Sequence, residues 1–261
     1  MTDGDKVNYK DIYENHPEYI NRRQNGTFEQ IRIRLEVTTY KIPGLISLLN
    51  GDWGKSPNVL EIGCATGELI GSLDTSLFNK LTGVDISEKN ISTAKHNFPH
   101  VDFHVGDFRS LNLGRFDIVI LSDVLEHIPD DVLFLKEASQ LADVTLIKLP
   151  LEDCPQHWFR KYGPNDKSGH LRKYNLASAF NLCHQAGVKI YSHSVKWTRD
   201  SGLDATVRSE RKRLTGLEYS GSITVRAFKA IVDSAFRLCP SLGRAMVSSD
   251  VFIASRLEKS T

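Results

Sequence analysis

Between Pro57 and Pro150 the chain alternates short apolar runs with amphipathic ones. PNVLEIG, KLTGVDIS, VDFHVGD, FDIVILS and DVTLIKLP each gather a few apolar residues and close on polar or turn residues, the pattern of strands buried in a sheet. GELIGSLDTSLF, SEKNISTAKHNF and PDDVLFLKEASQLA lie between or after them and carry apolar residues at helical spacing, with Ser87 placed to cap the second and Pro129 in the first turn of the third. Strand and helix alternate with short connections. That order predicts a parallel sheet covered on both faces, and right-handed crossovers make it doubly wound.

The flanks read differently. In FEQIRIRLEVTTYKIPGLISLLN the residues Ile31, Leu35, Ile42, Leu45 and Leu48 keep helical spacing, and Pro43 with Gly44 is expected to divide the segment into two helices. Residues 1–50 are therefore expected to form a helical cap on a main domain of residues 51–261. NGDWGKSP is turn material. Residues 150–174 are long, polar and aromatic, as expected of a loop that covers a cleft. NLASAFNLCHQAG reads as a helix closed by Gly187, and VKIYSHSVKW as a strand. Residues 198–248 form an insertion that opens with the polar, basic stretch RDSGLDATVRSERKR and continues as the amphipathic helix ITVRAFKAIVDSAFRLC; VFIASRLE is the last strand.

Composition narrows the classes. Lys and Arg number 33 against 32 for Asp and Glu in 261 residues, so no overall basic excess points to nucleic acid or membrane. No apolar run approaches the ~18 residues of a membrane span, and MTDGDKVNYK lacks the apolar core of a signal peptide. The four cysteines are far apart with no CxxC pair, which predicts a reduced, cytoplasmic protein without a zinc site or disulfide framework.

The chemistry concentrates in VLEIGCATGEL, residues 59–69. Gly63 and Gly67 stand where a strand meets a helix, a place for a sharp turn and close backbone approach to a ligand. A phosphate loop is excluded: the GKS triplet at Gly54–Ser56 precedes the strand, and Leu49 occupies its first glycine position. A dinucleotide fingerprint would need glycine where Ala65 stands, and Glu61 nearby would repel a pyrophosphate. Asp85 ends the second strand 18 residues beyond Gly67, placed to accept two ribose hydroxyls, a role NAD enzymes share.

The E-x-G-x-x-x-G pattern at Glu61–Gly67, with GVDIS, VGDF and FDIVILSDVLEHIPD following in order, resembles the class I S-adenosylmethionine-dependent methyltransferase family, in its small-molecule branch. The resemblance covers residues 56–150 and weakens afterwards. It implies a Rossmann-like, mostly parallel seven-stranded sheet of order 3-2-1-4-5-7-6, with N-terminal helices and a helical insertion before the last strand. It implies S-adenosylmethionine as cofactor, S-adenosylhomocysteine as product, and no metal. The cofactor contacts it implies are Glu61, Gly63, Cys64, Ala65 and Gly67; Asp85 and Ile86; Asp107 at the adenine with Phe108 against the ring; and Ser122 and Asp123 beside the methyl donor. Glu61 would receive the ligand's ammonium, directly or through a neighbour or water.

Methyl transfer from a sulfonium is an in-line displacement in which positioning can supply ~7–11 kcal/mol. A hydroxyl or ammonium acceptor also needs a base, worth ~10²–10⁴-fold. His170, in the loop GHLRKY, is the first candidate and His127 the second; His157, Tyr174 and Asp123 are further ones. Trp158, Phe159, Tyr162 and Tyr174 are candidates to line an acceptor pocket. Arg22, Arg23, Arg32 and Arg34, or Arg208, Arg211, Lys212 and Arg213, could bind an anionic acceptor or simply form solvated faces. The expected activity is methylation of a small molecule, foremost at oxygen, with nitrogen or carbon as alternatives and a sugar, polysaccharide precursor or natural product as acceptor. The expected partner is that acceptor, with no nucleic acid, and the chain acts as a monomer or homodimer. Rival readings are an aminopropyl transferase using Asp123 and Glu126, a non-catalytic cofactor-binding subunit, and an NAD dehydrogenase.

Overall fold

The computed structural model describes residues 13–49, 56–163, 166, 168–216 and 223–258. Seven strands form one sheet: β1 (Val59–Ile62), β2 (Leu81–Asp85), β3 (Asp102–Val105), β4 (Phe116–Ser122), β5 (Ala142–Leu151), β6 (Val188–Lys196) and β7 (Ser249–Leu257). Their order is 3-2-1-4-5-7-6, as expected. The pairings among β1 to β5 are all parallel, whereas β7 runs antiparallel between β5 and β6. All five parallel strands therefore end at one edge of the sheet.

Alternation along the strands splits the core into two layers. Val119 and Leu121 of β4 and Ile147 of β5 face α6 (Asp131–Gln140) and α7 (Leu176–Gln185), meeting Leu135 and Leu182. Ile118, Ile120 and Leu146 face the other way, toward Tyr40 and Leu45 of the N-terminal segment and Ile91 of α5 (Glu88–Asn97). Ser87 caps α5 by accepting the Asn90 N–H. Asn175 and Ser178 close a reciprocal capping box on α7.

Three local expectations are corrected. First, the N-terminal helices run through Pro43 and Gly44. α1 (Pro17–Arg23) and α2 (Phe28–Glu36) are followed by a single π turn at Val37–Lys41 and then α3 (Ile42–Ile46), so the irregularity precedes the proline. Pro43 lies in the first turn of α3, where its missing N–H costs nothing. Gly44 is there for contact: a Cβ on it would meet Phe252 Cε1 of β7 at 2.4 Å. Second, the helix after the glycine turn, α4 (Glu68–Gly71), stops well short of Phe78. Asp74 instead turns the chain by accepting the Ser76 N–H. Pro129 likewise lies just ahead of its helix, which Asp130 caps by accepting the Leu133 N–H. Third, the basic stretch of the insertion is itself a helix, α8 (Leu203–Thr215), followed by α9 (Ile223–Leu238) and α10 (Pro240–Met246). Among the described residues no helix is long and apolar enough to cross a membrane.

Replacing Gly44 by alanine forces a methyl into the Phe252 ring. The variant is expected to lose ~1–3 kcal/mol in urea unfolding despite the better helix propensity of alanine. An unchanged or raised midpoint would refute this close approach.

Candidate functional site

A cavity of about 730 Å³ opens at the carboxyl edge of the parallel strands. It is large enough for a nucleoside-sized ligand and a second small molecule. The turn after β1 forms one wall. Gly63 and Gly67 take φ of +76° and +80°, and Ala65 between them takes +47°. A Cβ on Gly63 would lie 2.7 Å from Val124 Cγ2, so both conformation and space demand glycine. Glu61 is 3% exposed and accepts the Ile70 N–H at 3.0 Å. Burial pushes its carboxyl up to about 8, only partly opposed by that hydrogen bond and by Lys41.

Asp85 binds the same turn. Its carboxylate accepts the Ala65 N–H at 2.9 Å and the Ser87 N–H at 2.8 Å, so β2, the glycine turn and α5 are tied at one group. Burial raises its pKa against those hydrogen bonds. Gly63, Cys64, Ala65, Asp85, Ile86 and Asp107 all line the cavity. Gly67 sits behind it, packed on Phe103, and opens α4. Asp107 is clasped by Arg109, whose Nε lies 2.9 Å from Oδ1, and these hydrogen bonds hold its carboxyl below the ordinary value. Phe108 is buried edge-on against Phe134 at 5.1 Å and presents part of its surface to the cavity.

The floor holds a chain of charges that the motif reading missed. Asp123, with φ +56°, ends β4 beside Ser122. Lys148 of β5 reaches Asp123 Oδ1 at 2.5 Å and Asp250 of β7 at 2.8 Å. Lys41 reaches Asp123 Oδ2 at 2.8 Å and Glu36 at 3.2 Å. Tyr40 donates to Asp250 at 2.8 Å. Burial opposes the Asp123 charge, yet Lys148 and Lys41 hold its pKa far below the carboxylate range.

Opposite the floor, His170 donates from Nδ1 to Glu152 Oε2 at 2.8 Å, and Arg160 holds Glu152 Oε1 at 2.7 Å. Burial works against the Glu152 charge, but these partners keep its pKa below the ordinary value. His127 donates from Nδ1 to the Gly169 carbonyl at 3.0 Å, and its ring stands edge-on to His170 at 4.8 Å. Burial, with His170 beside it, lowers His127 to about 4. Glu126 is 1% exposed, and neither carboxyl oxygen has a hydrogen-bond partner. Burial, reinforced by Asp123, raises its pKa well above 4.5. Glu126, His127 and His170 bring ligand atoms within 4.8 Å of one another and are the described residues that could hold a cation.

The candidate acceptor pocket is corrected. Trp158 and Phe159 are 69% and 96% exposed, and neither lines the cavity. Tyr162 stacks beneath Arg160 at 4.9 Å, outside the lining. Tyr174 is buried and gives its hydroxyl to Asp131. Tyr13, Tyr19 and Ile33 line the cavity instead. His157 lies outside it, 4.0 Å from Glu152. The N-terminal arginines are largely engaged: Arg32 pairs with Glu29 and Glu36, Arg34 with Glu68, and Arg23 with Asn90.

The donor set discriminates among ligands. Glu61 and Asp85 face the cavity at the glycine turn, while Lys41 and Lys148 are committed to carboxylates. That arrangement fits a ligand with an ammonium, a ribose and a sulfonium, and suits a pyrophosphate poorly. A family model described as a methyltransferase domain matches residues 35–193. This chain belongs to that family. The class I methyltransferase resemblance is thereby borne out, and Glu61, Gly63, Asp85 and Asp107 line the cavity, with Gly67 behind it.

A ubiquinone biosynthesis O-methyltransferase of Aromatoleum aromaticum is 37% identical over 90 residues; the match covers 32% of this chain and 38% of that protein's length. The 27-O-demethylrifamycin SV methyltransferase of Amycolatopsis mediterranei is 28% identical over 250 residues, covering 87% of this chain and 86% of that one. Among solved structures, a magnesium protoporphyrin IX methyltransferase from Synechocystis with bound SAH superposes with a TM-score of 0.60 at 16% identity, covering 97% of this chain and all of that one. At that identity the likeness shows the methyltransferase fold.

The buried charge chain should be structural as well as local. Replacing Lys148 by methionine leaves Asp123 and Asp250 short of a cation, and the expected loss is ~3–5 kcal/mol in urea unfolding at neutral pH. A loss under ~1 kcal/mol would mean the three groups are not coupled in the folded protein.

Proposed function

We propose that this protein transfers a methyl group from S-adenosylmethionine to a hydroxyl of a small-molecule acceptor and releases S-adenosylhomocysteine. The observation that carries this reading is the Glu152–His170 pair on the wall of the cavity that also holds the glycine turn. Relatives named as O-methyltransferases of ubiquinone biosynthesis and as a demethylrifamycin methyltransferase support oxygen over nitrogen or carbon. The reading includes a reduced, cytoplasmic setting, supported by four free cysteines, three of them buried.

The bound cofactor supplies an electrophilic methyl on a sulfonium. The residues present supply alignment and proton handling. Glu61 and Asp85 would hold the ammonium and ribose ends, and the glycine turn admits the ligand to the backbone. Glu152 fixes the His170 tautomer with its proton on Nδ1, leaving Nε2 as acceptor. As the acceptor's oxygen bonds to the methyl, its proton passes to Nε2, and Glu152 stabilises the imidazolium. His127, with its pKa near 4, is a weak base and serves better as a neutral hydrogen-bond acceptor at Nε2.

The aminopropyl reading loses its pair of carboxylates. Asp123 is spent on two lysines, and Glu126 stands alone without the second free carboxylate a polyamine would want.

The test is transfer of labelled methyl from S-adenosylmethionine to a panel of hydroxylated aromatic and polyketide acceptors across pH. Once an acceptor is found, His170→Ala should lower kcat by ~10²–10⁴-fold. Glu152→Gln should also lower kcat, because the imidazolium formed in the reaction loses its counter-charge. Full turnover in His170→Ala would remove His170 as base. Transfer only to amines or carbon acids would overturn the oxygen assignment.

A further inference from the structure

The insertion between β6 and β7 carries a feature that methyl transfer does not use. An ordinary surface helix has one apolar face, turned inward. α9 has a wider apolar arc, part of it turned outward. Phe228, Val232 and Ala235 recur at i, i+4 and i+7, with Val232 and Ala235 buried and Phe228 partly so. Roughly 100° round the helix from these, Ile223, Ala227, Ile231, Ser234 and Leu238 form a stripe that is the exposed part of that arc. Ile223 is 76% exposed, Ile231 57% and Leu238 86%. Leu242 of α10, which packs against α9, adds a side chain 54% exposed.

One edge of the exposed stripe is basic. Arg226, Lys229 and Arg237 fall together on the helix, and none has an acidic partner among the described residues. Asp233, the acid on that edge, is taken by Arg199 at 2.7 Å. The bias extends across the insertion. Residues 198–248 hold nine Lys or Arg against five Asp or Glu, in a chain whose net charge is +1. The insertion is therefore +4 and the remainder −3.

α10 rests on the turn Pro155–His157, and Ser248 donates its N–H to Gln156 at 3.2 Å. Immediately beyond that turn Trp158 and Phe159 stand out into solvent. Thr198 and Ser248, the two ends of the insertion, line the cavity. The exposed stripe thus belongs to an element anchored at the cavity rim.

We propose that α9 and α10 dock this protein on the surface of a membrane rich in anionic lipids. The apolar stripe would enter the boundary between headgroups and acyl chains, and the basic edge would meet the lipid phosphates. The charge pattern selects this occupant: a protein partner or a second copy would need no cationic edge beside the stripe, and self-association would set these cations near one another. The exposed Trp158–Phe159 pair, just beyond the turn on which α10 rests, has the amphipathic character favoured at a bilayer interface. The helices lie on the surface and do not cross it, which agrees with the lack of a spanning helix among the described residues.

The test is flotation of the full-length protein with vesicles of phosphatidylcholine containing about 30% phosphatidylglycerol, against phosphatidylcholine alone. Binding is expected to the anionic vesicles, and to fall in about 0.5 M salt. Ile231→Asp with Leu238→Asp, and separately Arg226→Glu with Arg237→Glu, should each weaken binding at least ~tenfold. Circular dichroism and S-adenosylhomocysteine affinity should remain unchanged in both double variants, since neither pair lines the cavity. Absence of vesicle binding by the wild type would overturn the proposal. So would equal binding by the variants, or a homodimer in sedimentation velocity that Ile231→Asp dissociates. None of these readouts depends on methyl transfer, so the catalytic reading stands or falls separately.

Discussion

Asp123, Lys148 and Asp250 form the constraint on which the site depends. Lys148 and Asp250 are buried and Asp123 is partly so, where β4 and β5 end and β7 begins, a place where an unpaired charge would cost several kcal/mol. Their pairing crosses the change from parallel to antiparallel strands and fixes the carboxyl edge of the sheet there. Lys41 brings the N-terminal helices onto the same carboxylate, so the cap is fastened to the floor by charge as well as by the packing of Gly44 on Phe252. Asp123 also turns the chain with a left-handed backbone, from which the segment carrying Glu126 and His127 rises along the wall.

This use of charge decides what the cavity can hold. Lys148 and Lys41 are committed to carboxylates, so they do not offer a phosphate site. At the glycine turn the groups that remain are carboxyls, one of them raised to about 8 and so easily ionised by an approaching cation. The Glu152–His170 pair lines the same cavity, placed for the proton acceptance proposed for it. In the proposed reading a cationic end and a ribose meet the glycine turn, and the reacting centre meets the imidazole on another part of the same cavity.

The sequence carried the sheet clearly because the central strands β1, β4 and β5 are almost wholly buried and read as near-continuous apolar runs. Its order came from the family resemblance, and the structure agrees. Glu61, Gly63 and Asp85 were legible for the same reason: a glycine turn between strand and helix leaves few other uses for flanking acids. The charge chain was written less openly. Lys148 is a lysine inside the apolar run TLIKLP, and Asp250 heads the apolar VFIA; each is an anomaly in a buried strand, and pairing two such anomalies across β5 and β7 would have found the network. The Glu152–His170 contact spans 18 residues of irregular loop, and no periodic rule places the ends of such a loop together. The aromatic cluster at Trp158 misled because composition indicates apolar surface without saying whether it turns inward. The basic start of the insertion hid a helix since only Leu203 and Val207 mark its inner face, too few for a periodic signal.

The central claim is that the glycine turn with Glu61 and Asp85 binds a cationic nucleoside, and calorimetric titration tests it most directly. S-adenosylmethionine and S-adenosylhomocysteine should each bind at one site, while NADH should not bind. Near pH 7, binding should release close to one proton, measured by repeating the titration in buffers of different ionisation enthalpy, because the ligand's ammonium would ionise a Glu61 carboxyl poised at about 8. Binding of NADH, or binding of neither sulfur ligand, would contradict the account.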